Sequence, residues 1–135
     1  MTHRILATLA LLSLAEPAFA GDPAAGQKLW NSCKSCHSII APDGTVIQKG
    51  GKLAPNLYGV IGRTLGSVEG FKYGAPFLAA KDKGLAWDEA SLAAYVADPS
   101  AWLRTALGDD TAKSNMTFKL KSGGEDIAAY LASVK

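Results

Sequence analysis

Apolar positions recur at helical spacing in several short stretches of this chain, separated by long segments without a period. In the first, Leu29, Trp30 and Cys33 fall on one side of a helix predicted over about 23–36. Asp22 can cap its free amides, and Pro23 suits its first position. Gly26, one turn before Trp30, leaves room for the close approach of another helix. A short helix is expected over 75–81. Asp88 can cap the next, 89–97, with Leu92, Tyr95 and Val96 on one face. Asp98-Pro99 ends it and opens a fourth, 99 to about 107, with Gly108 as the stop. The last begins near 124, where Glu125 and Asp126 meet its positive end. Ile127, Tyr130, Leu131 and Val134 form its apolar stripe.

The segment 38–70 reads as loop, with turns at Pro42-Asp43-Gly44 and Gly50-Gly51. Val46-Ile47 suits a short strand, but strand-like runs are too few for a sheet. A second loop is expected over 109–120. The fold class is therefore all-α, and loops this long in a small domain need something to pack on.

Residues 1–20 read as a cleaved export signal, leaving 21–135 as one domain. A basic start ending at Arg4 precedes an apolar run too short to cross a bilayer, and Ala18-Phe19-Ala20 fits the small-x-small cleavage rule. An uncleaved membrane anchor is the competing reading. Loss of Arg4 and Glu16 with the leader keeps the net charge at +2. That weak excess argues against a nucleic-acid partner.

The chemistry centres on Cys33-Lys34-Ser35-Cys36-His37. At a helix end this spacing puts both thiols on one face, one turn apart, with the imidazole beside them. C-x-x-C-H is the attachment signature of a c-type haem. Three other uses of these residues compete. A thioredoxin-like pair needs an alternating strand and helix pattern, which is not here. Tetrahedral zinc needs a fourth strong ligand, and there is no other Cys and no His beyond His3 of the leader. A disulfide closing so small a loop stabilises little.

With His37 as one axial ligand, Met116 is the candidate for the other. Met1 goes with the leader, so Met116 is the one methionine of the domain, and its surroundings are not a helical apolar stripe. A Lys ligand or an open site remains as an alternative. A His/Met iron has both axial positions filled, which suits one-electron exchange rather than substrate binding. No triad, catalytic carboxylate pair or phosphate loop accompanies the motif.

Several further segments take the reading beyond the motif. They are Gly26-Gln27-Lys28-Leu29-Trp30, Pro55-Asn56-Leu57-Tyr58-Gly59, Gly62-Arg63, Phe71-Lys72-Tyr73, Trp87, Tyr95, Asp98-Pro99, Met116-Thr117-Phe118 and Ala129-Tyr130-Leu131. In this order, with the haem motif, they resemble a class I cytochrome c, close to the bacterial cytochrome c2 group, over nearly all of 21–135. The resemblance implies about five helices with long loops wrapped around one haem c, bound through Cys33 and Cys36. It implies that Pro55 offers its carbonyl to the His37 ring, and that Tyr73 and Trp87 donate to a haem propionate near Arg63. Tyr95 is expected near the Met116 sulfur, Leu57 and Phe118 as walls, and Gly26 and Trp30 against the last helix near Tyr130. The chain departs from the family pattern at Ala54, often Gly, and at Asn115, often Lys. The second puts in doubt a ligand switch at high pH through that neighbour. Trp30 replaces a more usual Phe, and the segment 103–114 is longer than in short forms.

The function implied is a periplasmic monomeric electron carrier, not an enzyme. It would take electrons from a cytochrome bc1-type complex and deliver them to a terminal oxidase or photosynthetic reaction centre. Haem attachment outside the cytoplasm suits export. Lys34, Lys113, Lys119 and Lys121 are expected as a positive rim at the haem edge. The rivals are a haem enzyme or gas sensor with a labile sixth ligand, and a membrane-tethered carrier. Mass analysis of the exported protein should find an N-terminus at Gly21; a chain that retains the apolar run would support the tether.

Overall fold

A computed structural model describes residues 21–135; the predicted leader lies outside the described residues. Five α-helices are present: α1 (Pro23–Leu29), α2 (Ala75–Asp82), α3 (Glu89–Ala97), α4 (Pro99–Leu107) and α5 (Gly124–Ser133). The all-α expectation holds, with two corrections. First, α1 ends at Leu29, and the chain tightens into a 3₁₀ turn over Trp30–Ser32. Asn31 and Ser32 are weak helix formers, and the Cys33 N–H bonds the Trp30 carbonyl three residues back. Second, a small antiparallel ribbon does form, β1 (Ile39–Ile40) against β2 (Val46–Gln48). It closes over the Pro42-Asp43-Gly44 turn, where Asp43 accepts the Thr45 N–H at 2.9 Å.

The helix starts follow from local chemistry. Asp22 accepts the Ala24 N–H at 2.9 Å ahead of Pro23. Asp88 and Ser91 form a reciprocal capping box on α3. Asp98 accepts the Ala101 N–H at 3.0 Å and caps α4, which stops at Gly108 in the left-handed conformation.

Helix α5 is packed against both α1 and α3. Gly26 makes the first crossing possible, because a methyl there would collide with the Asp126 carbonyl and lie 2.7 Å from Tyr130 Cβ. The Asp22 N–H also donates to Asp126 Oδ1 at 2.8 Å, locking the helix ends together. Trp30, Leu92, Tyr95, Ile127, Tyr130 and Leu131 lie in the buried core beside this layer. The Trp30 indole N–H is buried without a partner among the described residues. An unpartnered polar group of that kind costs about 1–3 kcal/mol, which the burial of a large ring offsets.

The loops are tied down by side-chain and backbone hydrogen bonds rather than by an extended sheet. Asn56 bonds both the N–H and the carbonyl of Ile40, so one side chain holds the ribbon to the next loop. The 62–65 segment bonds the 85–87 segment through Gly62, Trp87 and Leu65 N–H groups. Gln48 donates to the Tyr130 hydroxyl at 2.8 Å, joining the ribbon to α5. Among the described residues, no helix is long and apolar enough to cross a membrane.

The helix crossing predicts a measurable penalty. Gly26→Ala should lower stability by about 1–3 kcal/mol in denaturant unfolding of the haem-loaded protein. An unchanged midpoint would mean that α1 and α5 do not meet backbone to backbone.

Candidate functional site

The turn after α1 carries Cys33, Cys36 and His37 as one unit. The Cys36 and His37 N–H groups both bond the Cys33 carbonyl, at 3.2 and 3.0 Å. The following loop is laid directly on this turn. Gly51 N–H donates to the Lys34 carbonyl at 2.8 Å, and Ala54 N–H to the Cys36 carbonyl at 3.1 Å. A methyl at Gly50 would strike the His37 carbonyl, and one at Gly51 the Ser35 carbonyl. Sequence reading took these glycines for a loop break; their use is close approach of backbone to backbone. The loop then brings Pro55 O to 2.7 Å from His37 Nδ1.

That contact selects a tautomer. Nδ1 carries the proton toward the Pro55 carbonyl, and Nε2 keeps its lone pair for the cavity. Burial lowers the His37 pKa, the Pro55 contact opposes this, and the Arg63 charge adds to the lowering. The ring is thus held neutral, as a metal-binding imidazole must be.

Cys33, Cys36 and His37 line a cavity of about 430 Å³ that runs to the other half of the chain. Met116 lines it too, together with Pro55, Leu57, Arg63, Tyr73, Trp87, Tyr95 and Phe118, so every candidate haem-binding or iron-binding residue named from sequence borders this one space. Phe118 stands at its edge, 44% exposed. Both cysteines are free, and burial together with neighbouring Cys36 pushes the Cys33 thiol up to about 11. A thiol of that kind is a poor redox nucleophile at neutral pH. No cluster of three His, Cys, Asp or Glu exists among the described residues to hold zinc.

Several polar groups border the cavity. Arg63 donates to the Tyr58 and Asn56 carbonyls at 3.1 and 3.0 Å, which leaves other guanidinium donors free. The Tyr73 hydroxyl accepts the Val68 N–H at 3.3 Å, which leaves its proton without an acceptor among the described residues. Burial raises the Tyr73 pKa, so the phenol stays protonated. Tyr95 is engaged otherwise: its hydroxyl lies 2.8 Å from Ser114 Oγ.

Sequence reading missed Phe77, which bridges Tyr73 and Tyr95 with ring centroids at 5.6 and 5.8 Å. Its four-residue spacing from Tyr73 was the available signal. It also missed Ser114 and the 81%-exposed Leu53, and gave no role to Phe71 and Lys72, all on the cavity. Of the lysines expected at the edge, Lys34, Lys113 and Lys121 are exposed, while Lys119 is paired with Asp98 at 2.7 Å.

The residues present fit a haem. Two thiols and an imidazole meet at one wall, a thioether lies on the same cavity, and aromatic rings enclose the space between. Comparison with known proteins agrees. The chain is 59% identical over 128 residues to cytochrome c2 of Rhodobacter capsulatus, covering 95% of this chain and 93% of that one. It is 56% identical over 136 residues to cytochrome c-550 of Paracoccus versutus, covering 98% and 88%. The solved structure of the Rhodobacter capsulatus cytochrome c2 superposes with a TM-score of 0.84 at 58% identity, covering 84% of this chain and 98% of that one. No protein-family model matches the chain.

The guanidinium contacts carry a prediction. Arg63→Ala should cost about 1.5–3 kcal/mol, because two carbonyls lose a charged donor. Arg63→Lys should recover less than half of that, since an ammonium cannot reproduce the fork. Full recovery by lysine in thermal unfolding would show that charge alone matters.

Proposed function

This chain belongs to the cytochrome c2 family of class I c-type cytochromes, a haem c electron carrier with the haem attached through Cys33 and Cys36, and from that membership we propose its ligands, location and partners. His37 and Met116 would hold its iron. The observation that carries this is the meeting of those two side chains, far apart in sequence, on one cavity.

The bound haem supplies a one-electron couple; the chain's residues decide how that couple is used. His37, with Nδ1 held by Pro55, presents Nε2 in a fixed orientation. Met116 supplies a soft thioether, which favours the reduced iron and raises the potential. With His37 and Met116 both bound, the iron would offer neither substrate nor dioxygen a free coordination site. Tyr73, Trp87 and Arg63, all on the cavity lining, would provide donors and positive charge for a haem propionate. Leu57 and Phe118, also on the lining, would shield the bound haem from water.

The carrier works in the periplasm as a soluble monomer after removal of the 1–20 leader. It accepts an electron from a cytochrome bc1-type complex and passes it to a terminal oxidase or reaction centre. Docking is small and transient, at the exposed edge near Phe118 and Leu53. Lys34, Lys113 and Lys121, with Lys72 at the cavity mouth, steer acidic partners toward that edge. Lys119 contributes less, since Asp98 offsets its charge.

Two experiments test this. The oxidised protein should give a low-spin spectrum with a weak red iron–sulfur band, and Met116→Ala should abolish that band. A high-spin wild type, or a spectrum indifferent to the substitution, would point to an open or otherwise filled site. Association with an acidic redox partner should slow as ionic strength rises; rates flat against salt would remove the lysine rim from the account.

A further inference from the structure

We propose that Ser100 and Ser114 are positioning residues for Met116, a two-hydroxyl brace that holds its loop against α3 and α4. The inference rests on the reading of Met116 as an iron ligand. Its basis is a set of hydrogen bonds that no sequence pattern announced. The Ser114 backbone N–H donates to Ser100 Oγ at 3.0 Å. The Ser114 hydroxyl accepts the Met116 N–H at 3.1 Å and meets the Tyr95 hydroxyl at 2.8 Å. One hydroxyl has a donor and two acceptor sites, so a single oxygen serves both contacts.

The position of each group explains its effect. Ser100 lies in the first turn of α4, just after the Asp98 cap and Pro99, on a rigid element. It is absent from the cavity lining and acts only through Ser114. Ser114 is buried, and so is Tyr95 of α3. The residue two positions before Met116 is therefore tied by its backbone to α4 and by its side chain to α3. Downstream, the Leu120 N–H bonds the Val96 carbonyl at 2.8 Å, and Lys119 pairs with Asp98. Residues 115–118 hang between these two anchors.

A surface loop with few buried apolar contacts opens more readily than the core behind it. Conformers in which Met116 has swung off the iron are a minor state, and an added iron ligand binds in proportion to that state. Removing one brace hydrogen bond raises its population. The net worth of such a bond corresponds to roughly a 3- to 10-fold change.

The test is titration of the oxidised holoprotein with imidazole, alongside helix unfolding followed by circular dichroism. Ser100→Ala should tighten apparent imidazole binding by roughly 3- to 10-fold. Ser114→Ala should tighten it at least as much, because Tyr95 and the Met116 N–H are then left without a partner. Ser100→Thr keeps the hydroxyl and should bind imidazole like the wild type. Ser133→Ala removes a hydroxyl bonded to the Tyr130 carbonyl at the far end of α5 and should leave imidazole binding unchanged. Wild-type affinity in Ser100→Ala, or an equal gain in Ser133→Ala, would overturn the brace. Met116→Ala separates the two levels. If it binds imidazole no more tightly than wild type, the ligation reading fails and the brace with it. Should Ser114→Ala not fold, Ser100→Ala, remote from the cavity, still decides.

Discussion

One hydrogen bond, between His37 Nδ1 and the Pro55 carbonyl at 2.7 Å, fixes the axis of the cavity, and the chain on either side serves it. The imidazole cannot turn without losing its partner in a buried place, which is costly. Pro55 in turn cannot move, because the loop before it is stitched to the cysteine turn by Gly51 and Ala54 N–H groups. Glycine at 50 and 51 allows that approach. After Pro55, Asn56 clamps the ribbon and Arg63 reaches back to the Asn56 and Tyr58 carbonyls. A loop with no regular structure is thus made rigid by side chains and backbone together.

The opposite wall is built differently. Met116 sits in a loop pinned at two points, with half-exposed residues between. One wall is held by a continuous backbone lattice, the other by a few anchors on α3 and α4. For a carrier that changes by one electron this division is workable. Were the iron held by His37 and Met116 as proposed, the ring orientation would stay fixed while the thioether side could follow small changes in bond length. Burial pushes the Tyr95 hydroxyl up to about 12, so it remains a neutral phenol beside that loop across the physiological range.

The helices were legible because their signals are local. Asp22-Pro23, Asp88 and Asp98-Pro99 cap or start helices by contacts within three residues, and Gly108 ends one through its own backbone angle. The end of α1 was not, since Asn31 and Ser32 only weaken the helix and do not say at which residue it tightens into a 3₁₀ turn. Val46-Ile47 was legible as a short strand, but its partner Ile39–Ile40 was missed because two residues carry no usable period. Cys33, Cys36 and His37 were legible from spacing alone. Met116 followed from being the one methionine of the domain, whereas Pro55, Leu57, Arg63, Tyr73, Trp87, Tyr95 and Phe118 came from resemblance, since nothing in a lone Pro or Tyr says what its carbonyl or hydroxyl meets. Ser114 and Ser100 were invisible for the same reason: a hydroxyl pairing across α4 and a loop exists only once both are in place.

The central claim is that the Met116 sulfur lies on the iron opposite His37. Proton resonance of the reduced, diamagnetic holoprotein tests it directly. A methyl group held over the face of the haem is shifted far upfield by the ring current. The account predicts a three-proton signal well outside the ordinary methyl range, assigned to Met116 and missing from Met116→Ala. A Met116 methyl at its ordinary position in the folded, reduced protein would contradict it.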